Sequence, residues 1–142
     1  MNEGLPEATV ALLVERAREA AGHAYAPYSG FPVGSAALTA SGEVIAGANI
    51  ENASIGLTNC AERVALQQAA YLGHREVVAI AVSAPRAAGT TPCGACRQVM
   101  NEFRPEIGDM YVILDYFDHK VVITLAGLLP RSFGPRDLER AT

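Results

Sequence analysis

Three cysteines constrain this chain more than any other feature of its sequence. Cys60 is followed by Ala61 and Glu62, and a later Pro-Cys-Gly-Ala-Cys motif carries Cys93 and Cys96. A Cys-x-x-Cys pair with one distant cysteine can hold zinc through three thiolates, and three protein ligands leave the fourth tetrahedral position open, as in catalytic zinc sites. The fold must therefore bring Cys60 next to a motif that lies far away along the chain.

Glu62 lies two residues after the first of these ligands, where its carboxylate can reach the open position. A carboxylate at that place can take a proton from a water molecule and pass it to a substrate. Arg63 can donate a hydrogen bond to a ligand sulfur and so offset the negative charge that three thiolates place around zinc. We therefore predict a hydrolytic zinc site in which Glu62 is the proton shuttle.

Other interpretations of the cysteines stay open at this point. Cys93 and Cys96 at the start of a helix also resemble a redox pair, although Cys60 and Glu62 would then have no function. Cys60 alone could be a buried, unreactive residue. A structural zinc site would need a fourth cysteine or histidine at ligand spacing. The three histidines are each predicted to be solvated surface residues: His23, His74 and His119.

The size and charge of the chain limit its partners. Its 142 residues suit one domain spanning 1–142, and 50% of them are hydrophobic, which favours burial against other subunits. The net charge of −4 and the absence of a Lys/Arg cluster argue against a polynucleotide or an anionic membrane as partner. No secretory signal or membrane span is visible, and thiolate ligands suit a reducing cytoplasm.

The hydrophobic pattern predicts an α/β fold with a mixed sheet covered by helices. Helices are predicted over 7–22, 60–72, 93–103 and 125–129, and strands over 33–38, 44–48, 77–82, 110–114 and 121–124. Residues 49–59 and 83–92 are predicted loops, and 132–140 a surface helix or coil. Both cysteine motifs therefore fall where a loop enters a helix, and backbone N–H groups at helix N-termini lower the pKa of a thiol.

Five segments spread over nearly the whole chain carry a further pattern: residues 24–36, 47–54, 59–63, 83–99 and 128–133. Cys-Ala-Glu followed by Pro-Cys-x-x-Cys resembles the signature of zinc-dependent nucleoside and nucleobase deaminases in its three-cysteine form. Together the segments resemble the short, homotetrameric type of cytidine deaminase, and not the longer dimeric type with a histidine ligand. The resemblance implies a three-layer α/β/α fold with a five-stranded mixed sheet.

The resemblance also assigns roles to individual residues. One Zn²⁺ per chain is bound by Cys60, Cys93 and Cys96, Glu62 is the general acid/base, and Arg63 neutralises thiolate charge. The residues implied to contact substrate are, in chain order, Phe31 (pyrimidine and sugar), Asn49 and Glu51 (ribose hydroxyls), the Ala61 backbone (base carbonyl) and Phe133 (from a neighbouring subunit). Taken alone, Phe31 would more often be a core residue, and Asn49 and Glu51 solvated loop residues.

The function implied is hydrolytic deamination of cytidine and 2′-deoxycytidine to uridine and 2′-deoxyuridine, with release of ammonia, in pyrimidine salvage. Zinc-activated water attacks C4 of the base, while Glu62 protonates N3 and then the departing amine. The expected assembly is a homotetramer in the cytoplasm. A deaminase of another aminopyrimidine, such as a nucleoside antibiotic, and a non-enzymatic zinc or redox module remain as alternatives.

One position departs from the family pattern. Ile55 stands where many members have an aromatic residue that reaches toward a neighbouring subunit's site. Phe133 matches the other aromatic residue that reaches across subunits in the family.

Overall fold

A computed structural model describes residues 4–139. Its helices are α1 (Glu7–Ala21), α2 (Ala61–Tyr71), α3 (Gly94–Glu102), α4 (Leu125–Leu128) and α5 (Pro135–Glu139), with one 3₁₀ turn over Ile55–Leu57. Its strands are β1 (Gly34–Thr39), β2 (Val44–Ala48), β3 (Val77–Ser83), β4 (Tyr111–Asp115) and β5 (Lys120–Thr124). Most predicted bounds are correct to within one residue; Arg140, in the predicted tail, lies outside the described residues.

The five strands form one mixed sheet in the order β2-β1-β3-β4-β5. The β3–β4 pair is parallel, and the other neighbours are antiparallel. The short turn between β1 and β2 makes the predicted hairpin, while α3 provides the crossover that two parallel strands require. The prediction of an α/β fold with a five-stranded mixed sheet is confirmed.

Helices cover both faces of the sheet, because successive side chains of a strand point to opposite sides. Ala36 and Ile113 pack with α1 on one face. The neighbouring residues Ala37 and Val112 pack on the other face, in the cluster that also contains side chains of α2, α3 and α4. These strands are therefore apolar on both sides, which explains the continuous apolar runs in the sequence.

Gly47 allows α2 to approach the sheet closely. A Cβ atom at this position would lie 2.5 Å from the Ala65 backbone nitrogen and 2.8 Å from the Ala61 carbonyl oxygen. Both distances are below van der Waals contact, so a side chain at Gly47 would push away the first turns of α2. This glycine thus sets how deeply the start of α2 lies against β2.

Asp115 ties α1 to the end of β4. Its buried carboxylate accepts hydrogen bonds from Arg18 Nε (2.7 Å) and Nη2 (2.8 Å), from Ser83 Oγ (2.8 Å) and from the Phe117 backbone N–H (2.9 Å). Burial alone would raise the pKa of Asp115, but these donors outweigh it and lower the pKa to about 2. The carboxylate is therefore ionised and fully paired at neutral pH.

Among residues 4–139, no helix has both the length and the apolar character needed to cross a bilayer.

Candidate active site

The three cysteine sulfurs converge at the N-termini of α2 and α3. Their Sγ atoms all lie within 4.8 Å of one another, with Cys60 and Cys93 at 3.9 Å and Cys93 and Cys96 at 3.3 Å. Three sulfurs bound to one zinc at about 2.3 Å lie roughly 3.8 Å apart in tetrahedral geometry. The thiols are free, so this donor set fits one Zn²⁺ with a fourth position open.

Both cysteine motifs begin a helix, as predicted, although Cys60 and Cys93 are the N-caps and not the first helical residues. The Cys93 sulfur accepts the backbone N–H of Cys96 at 3.4 Å. A hydrogen bond from the Cys96 thiol, helped by Arg63 and opposed by burial, lowers the pKa of Cys60 to about 5. That same hydrogen bond, together with burial, raises the pKa of Cys96. The cluster thus already favours a thiolate at Cys60.

Glu62 and Arg63 lie beside this cluster in the first turn of α2. Glu62 is only 4% exposed, and burial raises its pKa to about 7, with the charge of Cys60 acting in the same direction. Arg63 Nη2 lies 3.4 Å from both the Cys60 sulfur and the Thr58 carbonyl oxygen. A buried carboxyl and a cation therefore adjoin the first of the three thiols.

Backbone hydrogen bonds bring residues 49–51, which include the predicted sugar-binding residues, next to the thiol cluster. Residues 49–59 were predicted to be a loop, but Ile50 pairs with Asn59, the residue before Cys60, and on its other side with Tyr25. Ile50 N donates to Asn59 O at 2.9 Å, and Tyr25 N donates to Asn49 O at 2.9 Å. Asn49 and Glu51 therefore lie between the start of α2 and the segment that leads to Phe31.

Asn49 and Glu51 both hold the loop that carries Phe31, residues 26–33, hereafter the Phe31 loop. Asn49 Nδ2 donates to the Phe31 carbonyl and its Oδ1 accepts the Val33 N–H, both at 2.9 Å. The Glu51 carboxylate accepts two backbone N–H groups and the Ser29 hydroxyl from the same loop. This structural use of two predicted binding residues was not anticipated from the sequence.

Two further residues at this loop were missed by the sequence reasoning. Ser29 bonds Glu51, and Arg86 Nη1 donates to the Gly30 carbonyl at 2.6 Å. Arg86 belongs to the predicted loop 83–92, which leads into Cys93, so it joins that loop directly to the Phe31 loop. The Tyr-Ser-Gly turn was a signal for Ser29, whereas an isolated arginine in a loop carries no such signal.

The remaining residues predicted at the site differ in how exposed their side chains are. Ala61 is fully buried as the first residue of α2, and Phe31 is half-buried. Phe133 is 61% exposed and Ile55 is 82% exposed, so both side chains are available to a neighbouring chain.

The histidines stand apart from the thiol cluster in the part of the chain that the structure describes. His23 is exposed, and His119 stacks on Tyr116 and contacts Asp118. His74 departs from the predicted solvated position: it is partly buried and lies 2.7 Å from the Glu43 carboxylate. With Cys60 at the same cluster as Cys93 and Cys96, the geometry favours a metal site over a two-cysteine redox pair.

This fold, with three thiols that could hold one Zn²⁺ at the starts of α2 and α3, is that of a class of zinc-dependent enzymes. The family model for the cytidine and deoxycytidylate deaminase zinc-binding region matches residues 8–114, and the chain belongs to this family. It is 51% identical over 128 residues to a cytidine deaminase of Halalkalibacterium halodurans, covering 89% of this chain and 96% of that protein. A cytidine deaminase of Mycobacterium tuberculosis is 39% identical over 137 residues, covering 96% and 98%.

Solved structures agree with the sequence relatives. The crystal structure of cytidine deaminase from Burkholderia pseudomallei matches with a TM-score of 0.80 and 44% identity, covering 87% of this chain and 98% of that one. The structural similarity therefore extends over most of the chain.

Proposed function

We propose that this chain catalyses the hydrolytic deamination of cytidine and 2′-deoxycytidine to uridine and 2′-deoxyuridine, with release of ammonia, as a step of pyrimidine salvage. The observation that carries the proposal is the meeting of three thiols with Glu62 at the start of α2. Relatives named cytidine deaminase, at up to 51% identity, support the class of substrate.

Cys60, Cys93 and Cys96 would hold the zinc ion, and Glu62 would move the protons. Zinc in such a site supplies a water molecule whose pKa falls from about 15.7 to about 7, which makes it a nucleophile near neutral pH. Glu62 would take one proton from the attacking water and give it to N3 of the base, and would then take the second proton from the oxygen now bonded to C4 and give it to the departing amino group. The water oxygen becomes the C4 carbonyl of uracil, and the amine leaves as ammonia.

Three residues would support this chemistry at the metal and the base. Arg63 lies against the Cys60 sulfur and offsets part of the thiolate charge. Ala61 is the first residue of α2, where a backbone N–H has no partner within the helix and can donate to the carbonyl of the base. Phe31 offers a flat apolar face to the pyrimidine and the sugar.

The remaining hydrogen-bonding capacity of Asn49 and Glu51 supports a nucleoside as substrate. An ionised carboxylate offers about four acceptor positions, and the Phe31 loop uses three of those on Glu51. Asn49 uses one amide proton and one lone pair of its oxygen. One N–H and one carboxylate position suit a single sugar hydroxyl that accepts from Asn49 and donates to Glu51. Cytidine and 2′-deoxycytidine share such a hydroxyl at the 3′ position.

We further propose that residues 1–142 form one catalytic domain that works as a homotetramer in the cytoplasm. The exposed side chains of Ile55 and Phe133 support contact with neighbouring chains, and Phe133 would reach a neighbour's substrate. The free thiols suit a reducing compartment. Sedimentation equilibrium would measure the subunit number, and a monomer at micromolar concentration would contradict this assembly.

The main test is direct. Purified, zinc-loaded protein is mixed with cytidine, and the release of ammonia is followed together with the ultraviolet change to uridine. Stoichiometric ammonia and uridine are expected, and 2′-deoxycytidine should react as well. Absence of turnover from protein that contains one zinc per chain would contradict the proposed function.

Glu62→Gln separates proton transfer from metal binding. The amide keeps the size of the side chain but cannot carry the proton, so we expect a loss of about 10²–10⁴-fold in kcat with zinc content unchanged. Metal analysis and steady-state kinetics measure the two properties independently. A Glu62→Gln protein that deaminates normally would remove Glu62 from the mechanism.

A further inference from the structure

The Ser29 hydroxyl joins the predicted sugar-binding carboxylate to the predicted base-binding ring. Its Oγ donates to Glu51 Oε2 and accepts the backbone N–H of Phe31 at 3.0 Å. The backbone N–H groups of Tyr28 and Ser29 donate to Glu51 Oε1 at 3.0 and 3.1 Å. Oε1 is therefore saturated, and Oε2 keeps one acceptor position whose direction depends on Ser29.

We propose that Ser29 is a positioning residue for substrate selection, because its hydroxyl directs the free acceptor of Glu51 and fixes its distance to Phe31. This inference rests on the proposed function and adds to it a residue that touches neither the metal nor the reacting atoms. Its consequence is that the sugar and the base are recognised by one connected unit.

Only a hydroxyl at position 29 can make both contacts. The side chain must donate to a carboxylate and accept an N–H at the same time, and serine and threonine have one proton and two lone pairs on one oxygen. The Ser29 hydrogen bond is also the main reason that the pKa of Glu51 is lowered, ahead of the backbone N–H groups and against desolvation. Ser29 thus further favours the ionised form of Glu51, in which both oxygens accept hydrogen bonds.

Two other side chains hold the same loop without involving the Glu51 acceptor. Asn49 makes hydrogen bonds with the backbone of Phe31 and Val33, and Arg86 donates to the Gly30 carbonyl. Loss of the Ser29 hydroxyl should therefore leave the loop in place while it releases the orientation of Glu51. Ser29 is exposed, so its replacement by alanine creates no cavity in the core.

The test compares Ser29→Ala with Ser29→Thr, which keeps the hydroxyl, and with Ser41→Ala, a control in the exposed turn between β1 and β2. Each zinc-loaded protein is assayed with cytidine and with 2′,3′-dideoxycytidine, which lacks the sugar hydroxyls at these positions. For Ser29→Ala we expect KM for cytidine to rise about 10-fold with kcat within about threefold of the parent, as one charged hydrogen bond implies. The ratio of kcat/KM for cytidine to kcat/KM for 2′,3′-dideoxycytidine, which measures the preference, should fall by a similar factor.

Ser29→Thr should recover most of the KM and of the preference, and Ser41→Ala should match the parent protein in both. Thermal unfolding and zinc content report whether the fold is intact. An unchanged preference in Ser29→Ala would overturn the inference, as would equal loss on both substrates through kcat alone. If the parent protein itself fails to deaminate cytidine, the proposed function fails; an active parent with an unaffected Ser29→Ala variant defeats only the role of Ser29.

Discussion

The Arg18→Gln variant tests the ion pair that joins α1 to the end of β4. The pKa of Asp115 falls from its ordinary value of 3.8 to about 2. At about 1.4 kcal/mol for each pH unit, this difference corresponds to roughly 2 kcal/mol of stability at neutral pH. Arg18 is one of three donors and its side chain is 47% exposed, so solvent screens part of its share. We expect Arg18→Gln to lower the free energy of unfolding by about 1 kcal/mol at pH 7.

The pH dependence of this loss has a defined sign. A lowered pKa means that the folded protein binds the proton of Asp115 less readily than the unfolded chain, in which the carboxyl has its ordinary pKa of 3.8. The stabilisation is therefore complete above about pH 5 and disappears as the pH falls towards 2. The difference between parent and variant should be constant from pH 7 to about pH 5 and should narrow below about pH 4.

Urea unfolding of zinc-loaded protein at several pH values between about 3 and 7 measures this difference. Arg16→Gln, two residues earlier on the same helix, removes the same charge and serves as the control. Asp115→Asn removes the titrating group, and its stability should depend less on pH in this range. A difference between Arg18→Gln and Arg16→Gln that does not change with pH would refute the reasoning, and so would equal stability of the two at pH 7.

Three further predictions concern the site. Gly47→Ala should lower the free energy of unfolding in urea by about 1–3 kcal/mol and reduce turnover, because the added Cβ pushes α2 from the sheet. Gly56→Ala is the control, since a Cβ there meets nothing within 4 Å and should change the stability little. Equal effects of the two substitutions would contradict the packing argument. Removal of zinc by a chelator should abolish turnover and lower Tm, and added zinc should restore both; identical Tm values with and without zinc would show that the metal does not stabilise the fold. Arg86→Ala should raise KM for cytidine several-fold with zinc content unchanged, and Arg86→Lys should recover part of it; a normal KM in Arg86→Ala would separate this loop contact from binding.

Short-range pattern was enough to predict the elements and the metal site. The apolar runs of β3 and β4 and the glycine after α2 define elements whose causes lie within a few residues. Cys60 and Cys93 begin helices for equally local reasons, and the three thiols share a known ligand chemistry. These features could therefore be read from the sequence before any contact was known.

Contacts between distant side chains could not be predicted in this way. Arg18 and Asp115 are 97 residues apart, and Glu51 binds a turn 22 residues earlier in segments without periodicity. Neither partner carries a pattern that names the other, because a single polar residue in a loop is equally compatible with solvent. The same limit explains why Asn49 was predicted only as a ligand contact and not as a support of the Phe31 loop.

The hydrogen bonds that hold the Phe31 loop have a consequence for binding thermodynamics. Its backbone groups at Tyr28, Ser29, Gly30, Phe31 and Val33 already have hydrogen-bond partners without substrate. Ordering a free segment costs about 1–2 kcal/mol per residue, and here that cost is met when the chain folds. The loop is thus preorganised, so a nucleoside entering it should bind with a small entropic penalty and without an ordering step that limits the association rate.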